Sequence, residues 1–337
     1  MASTTRQPEE RSATDPFQER VPDSLREELQ LFGSPFQFDS HSHELMQLVR
    51  AAFLGLPQHK LLPGERCQIR LRLISRKRPT ATPEPPPMRM HSGPGLLSGM
   101  MDAENFVVLA PIEHTALVVV SKDMLRFPYH VRYELIEFAA FTLASRALGL
   151  VPLHAACVGR SGRGLLLLGP SGAGKSTLAL HSCLGGLEFL AEDAVFVKPD
   201  GMLATGISNF LHLRRDSPAL LEESDLSSQL RASPIIRRRS GVEKFELDLR
   251  RPEYRLAAAP LEIVGVVFVS AGRDSDRASL KSLSQDTLIA RITTAQPYAA
   301  QLPTWDAFKT HLAGVQAFAL RRGRHPDEAV SALQSLL

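Results

Sequence analysis

The stretch GLLLLGPSGAGKSTLALHSCLGGLEFLAEDAVFV, residues 164–197, decides the fold. Leu165 to Leu168 form a short apolar run of the kind a strand shows when both its faces are buried. Gly169-Pro170-Ser171-Gly172-Ala173-Gly174-Lys175-Ser176 follows, a full match to the phosphate-binding pattern G-x-x-x-x-G-K-[ST]. The glycines let the backbone turn tightly and approach phosphate oxygens closely. A helix from about Lys175 adds the positive end of its dipole, and Leu178, Ala179, Cys183 and Leu184 give that helix an apolar face. In this pattern Lys175 reaches the β- and γ-phosphates and the Ser176 hydroxyl, with Thr177 next to it, lies at a Mg²⁺ site. Two short strands then flank the acidic pair Glu192-Asp193. Strand ends at that position carry carboxylates to the phosphates, where one can hold Mg²⁺ and the other can take a proton. A turn with two solvated acids is the plainer alternative.

The rest of the chain is ordinary in bulk. Its 337 residues are 44% hydrophobic and 22% charged, with a net charge of +3, which gives no sign of a nucleic-acid partner. Cys67, Cys157 and Cys183 lie in or beside apolar segments and read as small core residues of a reducing compartment. The N-terminus lacks an apolar signal segment and no apolar run approaches membrane-spanning length, so a cytoplasmic protein is expected, with no membrane partner.

Residues 1–23 are polar and proline-punctuated and read as a disordered tail. Residues 24–125 read as a small α+β region. The pattern is weak from Leu25 to Phe38, helical from Glu44 to Leu54, alternating from Cys67 to Leu73, and strand-like at Phe106–Ala110 and Ala116–Val120. Within this region residues 75–95 are rich in proline and read as a solvated loop. Residues 126–337 read as the nucleotide-binding unit. A helix spans Tyr129–Leu148, and a hairpin with the turn Gly159-Arg-Ser-Gly162 leads into the glycine loop. Later come two short strands in Met202–Leu213, an acidic segment Pro218–Leu230, a basic loop Arg231–Gly241, strands at Lys244–Leu249, Leu261–Val269 and Val315–Leu320, and helices at Thr304–Leu312 and Pro326–Leu337.

His154, alone, reads as a core histidine. Taken with the loop Gly169–Thr177 and with Leu190-Ala-Glu192-Asp193-Ala-Val195, it resembles the catalytic domain of HPr serine kinase/phosphorylase, and more closely the HPr-kinase-related proteins, in residue type and in spacing. The likeness is specific near the loop and covers roughly residues 130 to 335, including Lys244 and Arg321-Arg322-Gly323. It implies an α/β fold with a mixed sheet, similar to the core of phosphoenolpyruvate carboxykinase rather than a doubly wound Rossmann sheet. It also implies an ATP- and Mg²⁺-dependent serine kinase. By position, Glu192 matches the general base, Asp193 the acid near Mg²⁺ beside Ser176, and His154 a histidine near the transferring phosphoryl group. Lys244 or one of Arg237 to Arg239 would bring late positive charge, although that run reads equally well as a surface loop. The family pair is Asp-Asp, one methylene shorter than Glu192, and Thr177 stands where the bifunctional enzymes carry Glu. A protein, peptide or small-molecule serine is the acceptor implied, and a homo-oligomer is compatible with the likeness. The alternatives are a nucleotide-sensing module with little turnover, HPr kinase/phosphorylase itself, or an ATPase that moves a partner.

Overall fold

The computed structural model describes residues 24–75, 84–215, 225–270, 277–323 and 325–337. The tail expected over 1–23, residues 76–83 of the proline-rich stretch and residues 218–224 of the acidic segment lie outside the described residues.

Strands β1 (Leu25–Leu31) and β2 (Ser34–Ser40) form an antiparallel hairpin. Phe32 and Gly33 make its turn with φ of 53° and 82°. Positive φ at both central residues matches the right-handed twist of the strands. Gly33 is required, because a Cβ there would overlap the Leu61 side chain. Phe32 holds its unusual φ because its buried ring packs on Phe36, Phe141 and Phe196. The weak pattern expected for Leu25–Phe38 is corrected here. Almost every β2 residue is buried, so the strand shows no alternation to read.

Helix α1 (His43–Phe53) starts at Ser42, whose hydroxyl accepts from the Leu45 N–H. Strands β3 (Cys67–Ile74), β4 (Arg89–Gly93), β5 (Leu96–Met100), β6 (Phe106–Ala110) and β7 (Thr115–Ser121) complete a seven-stranded sheet in the order β1-β2-β3-β7-β6-β5-β4. The loop expected over 75–95 is therefore shorter: Arg89–Gly93 pairs with β5 as an exposed edge ribbon. Its side chains have no buried face, which is why the stretch lacks a strand pattern.

Helix α2 runs through three segments, Pro128–His130, Val131–Glu137 and Phe138–Arg146, the middle one widened to i→i+5 bonding. Val131, Leu135, Ile136, Ala139, Leu143 and Ala144 join the core of the first sheet. Phe196 of the next sheet enters the same core.

That next sheet contains β8 (Val151–Leu153), β9 (Ala156–Arg160), β10 (Arg163–Leu168), β11 (Glu188–Ala191), β12 (Val195–Lys198), β13 (Leu203–Gly206), β17 (Leu261–Ser270), β18 (Ser279–Ser282) and β19 (Gln316–Arg321). Strand β10 lies between antiparallel β9 and parallel β17. The other edge of β17 is shared, its start pairing with β13 and its later residues with β19. The sheet is mixed, as expected, within an α/β fold. Alternate leucines of β10 face opposite layers. Leu165 and Leu167 pack with helix α3 (Lys175–Leu184) and helix α7 (Pro326–Gln334); Leu166 and Leu168 pack with helix α5 (Gln285–Ala295) and helix α6 (Trp305–Leu312). The sequence pattern does not mark helix α5, which starts at Ser284, whose hydroxyl accepts from the Thr287 N–H. A small third sheet of β14 (Phe210–Arg214), β15 (Ile235–Arg237) and β16 (Glu243–Asp248) has helix α4 (Asp225–Ala232) beside it. Strand β15 falls inside the expected basic loop.

Cys67, Cys157 and Cys183 are free and buried. Burial pushes the Cys67 thiol up to about 12, so it behaves as a small apolar group. No helix among the described residues is long and apolar enough to cross a membrane.

Phe196 is 1% exposed and its ring lies 4.6 Å from Phe32 and 5.5 Å from Phe141. Phe196→Ala is expected to lower stability by about 3–5 kcal/mol in urea denaturation. Because the core of the first sheet is completed by Phe196 of the main sheet, fluorescence and circular dichroism should report a single shared transition.

Candidate functional site

The β10–α3 turn opens onto a cleft of about 740 Å³. Ser171, Gly172, Gly174, Lys175, Ser176 and Thr177 line it. Gly169, Pro170 and Ala173 form the back of the loop: the Ala173 N–H donates to the Pro170 carbonyl at 3.1 Å, and Ala173 is fully buried. Gly174 opens α3 with φ of 86°. A Cβ there would collide with the Arg322 guanidinium, so the glycine also admits a cation to the loop. Lys175 Nζ donates to the Gly169 carbonyl at 2.8 Å and to Pro170 at 3.4 Å. Burial pulls its ammonium below the ordinary lysine range, against the pull of Asp193 and Glu192.

The acidic pair occupies the turn between β11 and β12. The Ala194 N–H donates to the Glu192 carbonyl at 2.9 Å, closing a three-residue turn with Asp193 at its apex, φ 72°. Asp tolerates this left-handed backbone better than most residues. The turn sends the two carboxylates to different partners. Glu192 Oε1 accepts from the Ser176 hydroxyl at 2.5 Å. Asp193 Oδ1 lies 3.0 Å from His154 Nδ1, while Asp193 Oδ2 accepts from Tyr133 at 3.3 Å and from Arg238 at 3.2 Å. Burial alone would raise the Asp193 carboxyl, but His154 and Arg238 outweigh it and hold the group well below the carboxylate range. The hydrogen bond to Asp193 in turn raises the His154 imidazole above its usual value, against burial. His154 is fixed from behind as well, since Gln296 accepts from its N–H at 2.7 Å and donates to its carbonyl at 3.2 Å. All four expected catalytic side chains therefore line one cleft, with Glu192 rather than Asp193 touching Ser176.

Magnesium fits this donor set. Glu192 Oε2 is buried and accepts no hydrogen bond, a hard oxygen beside the serine hydroxyl. No group of three or more His, Cys, Asp or Glu among the described residues suits a metal by itself. Mg²⁺ needs no such group, because it keeps waters and substrate phosphates around one or two protein oxygens.

Several site residues were not visible in the sequence. The widened turn of α2 carries Arg132, Tyr133, Glu134 and Glu137 to the site. His212 on β14 sits 3.7 Å from Glu192 Oε2 and 3.2 Å from Glu246 Oε1. Burial would lower its imidazole, but these two carboxylates raise it overall. Arg132 pairs with Glu246 and lies 3.6 Å from Glu137, whose carboxyl burial pushes up to about 7. Arg214, Arg238, Arg239, Lys244 and Arg322 join Lys175 in making the cleft strongly cationic. The basic run thus divides its work. Arg238 reaches Asp193 over the Tyr133 ring, Arg239 binds Glu134 and the Pro85 and Pro86 carbonyls, and Arg237 pairs with Glu84 at 3.3 Å. It fastens the first layer to the cleft rim and is not a bland surface loop.

Two measurements probe this geometry. An NMR titration should give His154 a midpoint above the ordinary value of about 6.5, and Asp193→Asn should bring it down. The raised histidine contributes stability fully below its unfolded value of about 6.5 and loses it as pH rises through the folded midpoint, whereas the depressed Asp193 carboxyl loses its contribution at the acid end, as pH falls below its unfolded value. Glu246→Ala takes from buried Arg132 the nearer of its two carboxylates and should cost about 3–5 kcal/mol in urea denaturation, with Glu246→Gln costing less.

No protein-family model matches the chain, and no curated protein matches it by sequence. Among solved structures, the Hpr(Ser) kinase/phosphatase from Coxiella burnetii is similar to it over 55% of this chain and 87% of that one. The identity is 11% and the TM-score 0.26, and neither value extends the likeness to chemistry.

Proposed function

We propose that the chain is an ATP- and Mg²⁺-dependent kinase of the HPr-kinase-related type, transferring a phosphoryl group to a serine-like hydroxyl. The observation that carries this is the split acidic pair: Glu192 on the loop serine at 2.5 Å, and Asp193, the next residue, on His154 at 3.0 Å. A site that only bound nucleotide would need the first contact and not the second.

The loop N–H groups and the N-terminus of α3 receive the phosphates, and Lys175 exchanges its loop carbonyls for phosphate oxygens. Ser176 and Glu192 would hold the cation. Bound magnesium would neutralise charge on the phosphates. This arrangement exchanges the roles expected from the resemblance. Asp193, kept ionised by His154, Tyr133 and Arg238, accepts the hydrogen bond of the incoming hydroxyl and orients its oxygen. As that oxygen bonds to the γ-phosphorus, the bridging P–O bond breaks with its electron pair leaving on ADP, and the hydroxyl proton passes to Asp193. A largely dissociative transition state needs orientation more than a strong base, which suits a carboxylate of low pKa. Arg238, Lys244 and Arg322 supply positive charge along the cleft wall.

The test is transfer of label from γ-³²P-ATP, with Mg²⁺ and cell extract supplying acceptors. Wild type should label an acceptor. Asp193→Asn should lower the rate by about 10²–10⁴-fold, Lys175→Ala should abolish it, and Glu192→Gln should chiefly raise the Mg²⁺ concentration needed. ATP bound in calorimetry with no acceptor labelled would overturn the kinase reading in favour of a nucleotide sensor.

A further inference from the structure

His154 and Asp193 have a second side. Beyond them, away from the glycine loop, lies a separate pocket of about 500 Å³ that both residues also line. Its walls are Phe138, Phe141, Pro152, Phe196, Pro297 and Tyr298, with Ala295 at the end of α5 beside the mouth. Tyr298 is 51% exposed and is held upright by Arg146, whose Nε donates to its hydroxyl at 3.2 Å while the guanidinium lies 5.4 Å from the ring. Gln296 belongs to this wall and clamps the His154 backbone from it.

The two cavities differ in chemistry. The cleft is lined by four arginines and two lysines, whereas the pocket's lining has no charged group apart from the shared His154 and Asp193. A phosphate-bearing molecule is drawn to the first and gains nothing in the second, where its charge would lose hydration without a counter-ion. An apolar body gains by burying its surface against the pocket's rings. The volume falls in the range of small-molecule sites, which are mostly apolar with a few convergent polar groups.

Resting on the kinase reading above, we infer that this pocket is the acceptor site and that it selects a hydroxyl flanked by an uncharged apolar or aromatic group. The acceptor's body lies against Phe138, Phe141 and Tyr298, and its hydroxyl emerges at Asp193 facing the phosphate cleft. The shared pair is then the partition across which transfer occurs. Donor and acceptor enter from opposite sides, so neither blocks the other, and the partition keeps the two reactants aligned. Ala295, Gln296, Pro297 and Tyr298 determine specificity and take no part in the chemistry.

The probe is a set of short serine peptides, identical except that the residue after serine is Phe, Leu, Asp or Lys, offered with γ-³²P-ATP and Mg²⁺. The Phe and Leu peptides should be labelled at least tenfold faster per concentration than the Asp and Lys peptides. Ala295→Trp places an indole at the mouth on an exposed helix end. It should raise KM for the preferred peptide at least tenfold while leaving KM for ATP unchanged. Tyr298→Ala, which removes one wall at the surface, should weaken the preference in the same direction. A readout independent of turnover is saturation-transfer NMR with p-cresol and no nucleotide, which should show binding to wild type and none to Ala295→Trp. Transfer that favours charged peptides, or that ignores both variants, would overturn the acceptor pocket and leave the kinase reading standing. Binding of p-cresol that Ala295→Trp abolishes, with no peptide or extract component labelled, would overturn the acceptor role together with the kinase reading and leave an apolar ligand site.

Discussion

A line of largely buried charge, running from behind the cleft to its wall, fixes how the layers of the molecule meet. Arg132 of α2 meets Glu246 of β16, Glu246 meets His212 of β14, and His212 approaches Glu192 in the β11–β12 turn. Each group comes from a different part of the fold, so the line crosses from the first layer through the small sheet to the main sheet. Each of these side chains is at most 10% exposed, so each charge relies on the next more than on water. Arg132 is further covered by the Phe210 ring, 4.2 Å away, which removes water from its outer face. The arrangement need not add net stability over an apolar core. It does specify one relative placement of three layers, and that placement sets Glu192 against Ser176.

The features written locally in the chain were legible. The glycine loop, the two-residue turn before β10, the leucine run and the acidic pair each announce themselves within a few residues, because short-range backbone geometry demands those residue types. What escaped was either buried on every side or assembled from afar. β2 has no alternation because both its faces are covered, and β4 has none because neither is. His212 and Tyr133 sit on separate elements, and nothing near them in sequence distinguishes them from other polar residues, while the basic run at Arg237–Arg239 stood out by charge without showing which arginine reaches Asp193. The widened turn of α2 is a further case: its apolar stripe reads as plain helix, and only the structure places Tyr133 on the cleft wall and Arg132 behind it against Glu246.

The turn at Glu192-Asp193 explains how two adjacent acids can have different chemistry. In a strand they would point to opposite faces of the sheet, and in a helix they would diverge by about 100°. Here the positive φ of Asp193 turns its carboxylate toward His154 while Glu192 remains on the loop side. The extra methylene of Glu192 lets a side chain that is almost fully covered still reach the Ser176 hydroxyl.

The Phe32–Phe196 contact bears on how the chain is made. The first sheet leaves the ribosome early, yet its core lacks a wall until the main sheet delivers Phe196. At about 5–20 residues per second, Phe32 waits roughly 10–30 s for its partner. During that time Phe36, Phe38, Leu71 and Val118, all fully buried at the end, depend on α1, the nascent sheet and, once it emerges, α2 for cover. The exposed β4 edge is available for stray pairing throughout this interval. Synthesis slowed between Phe32 and Phe196 would lengthen that exposure.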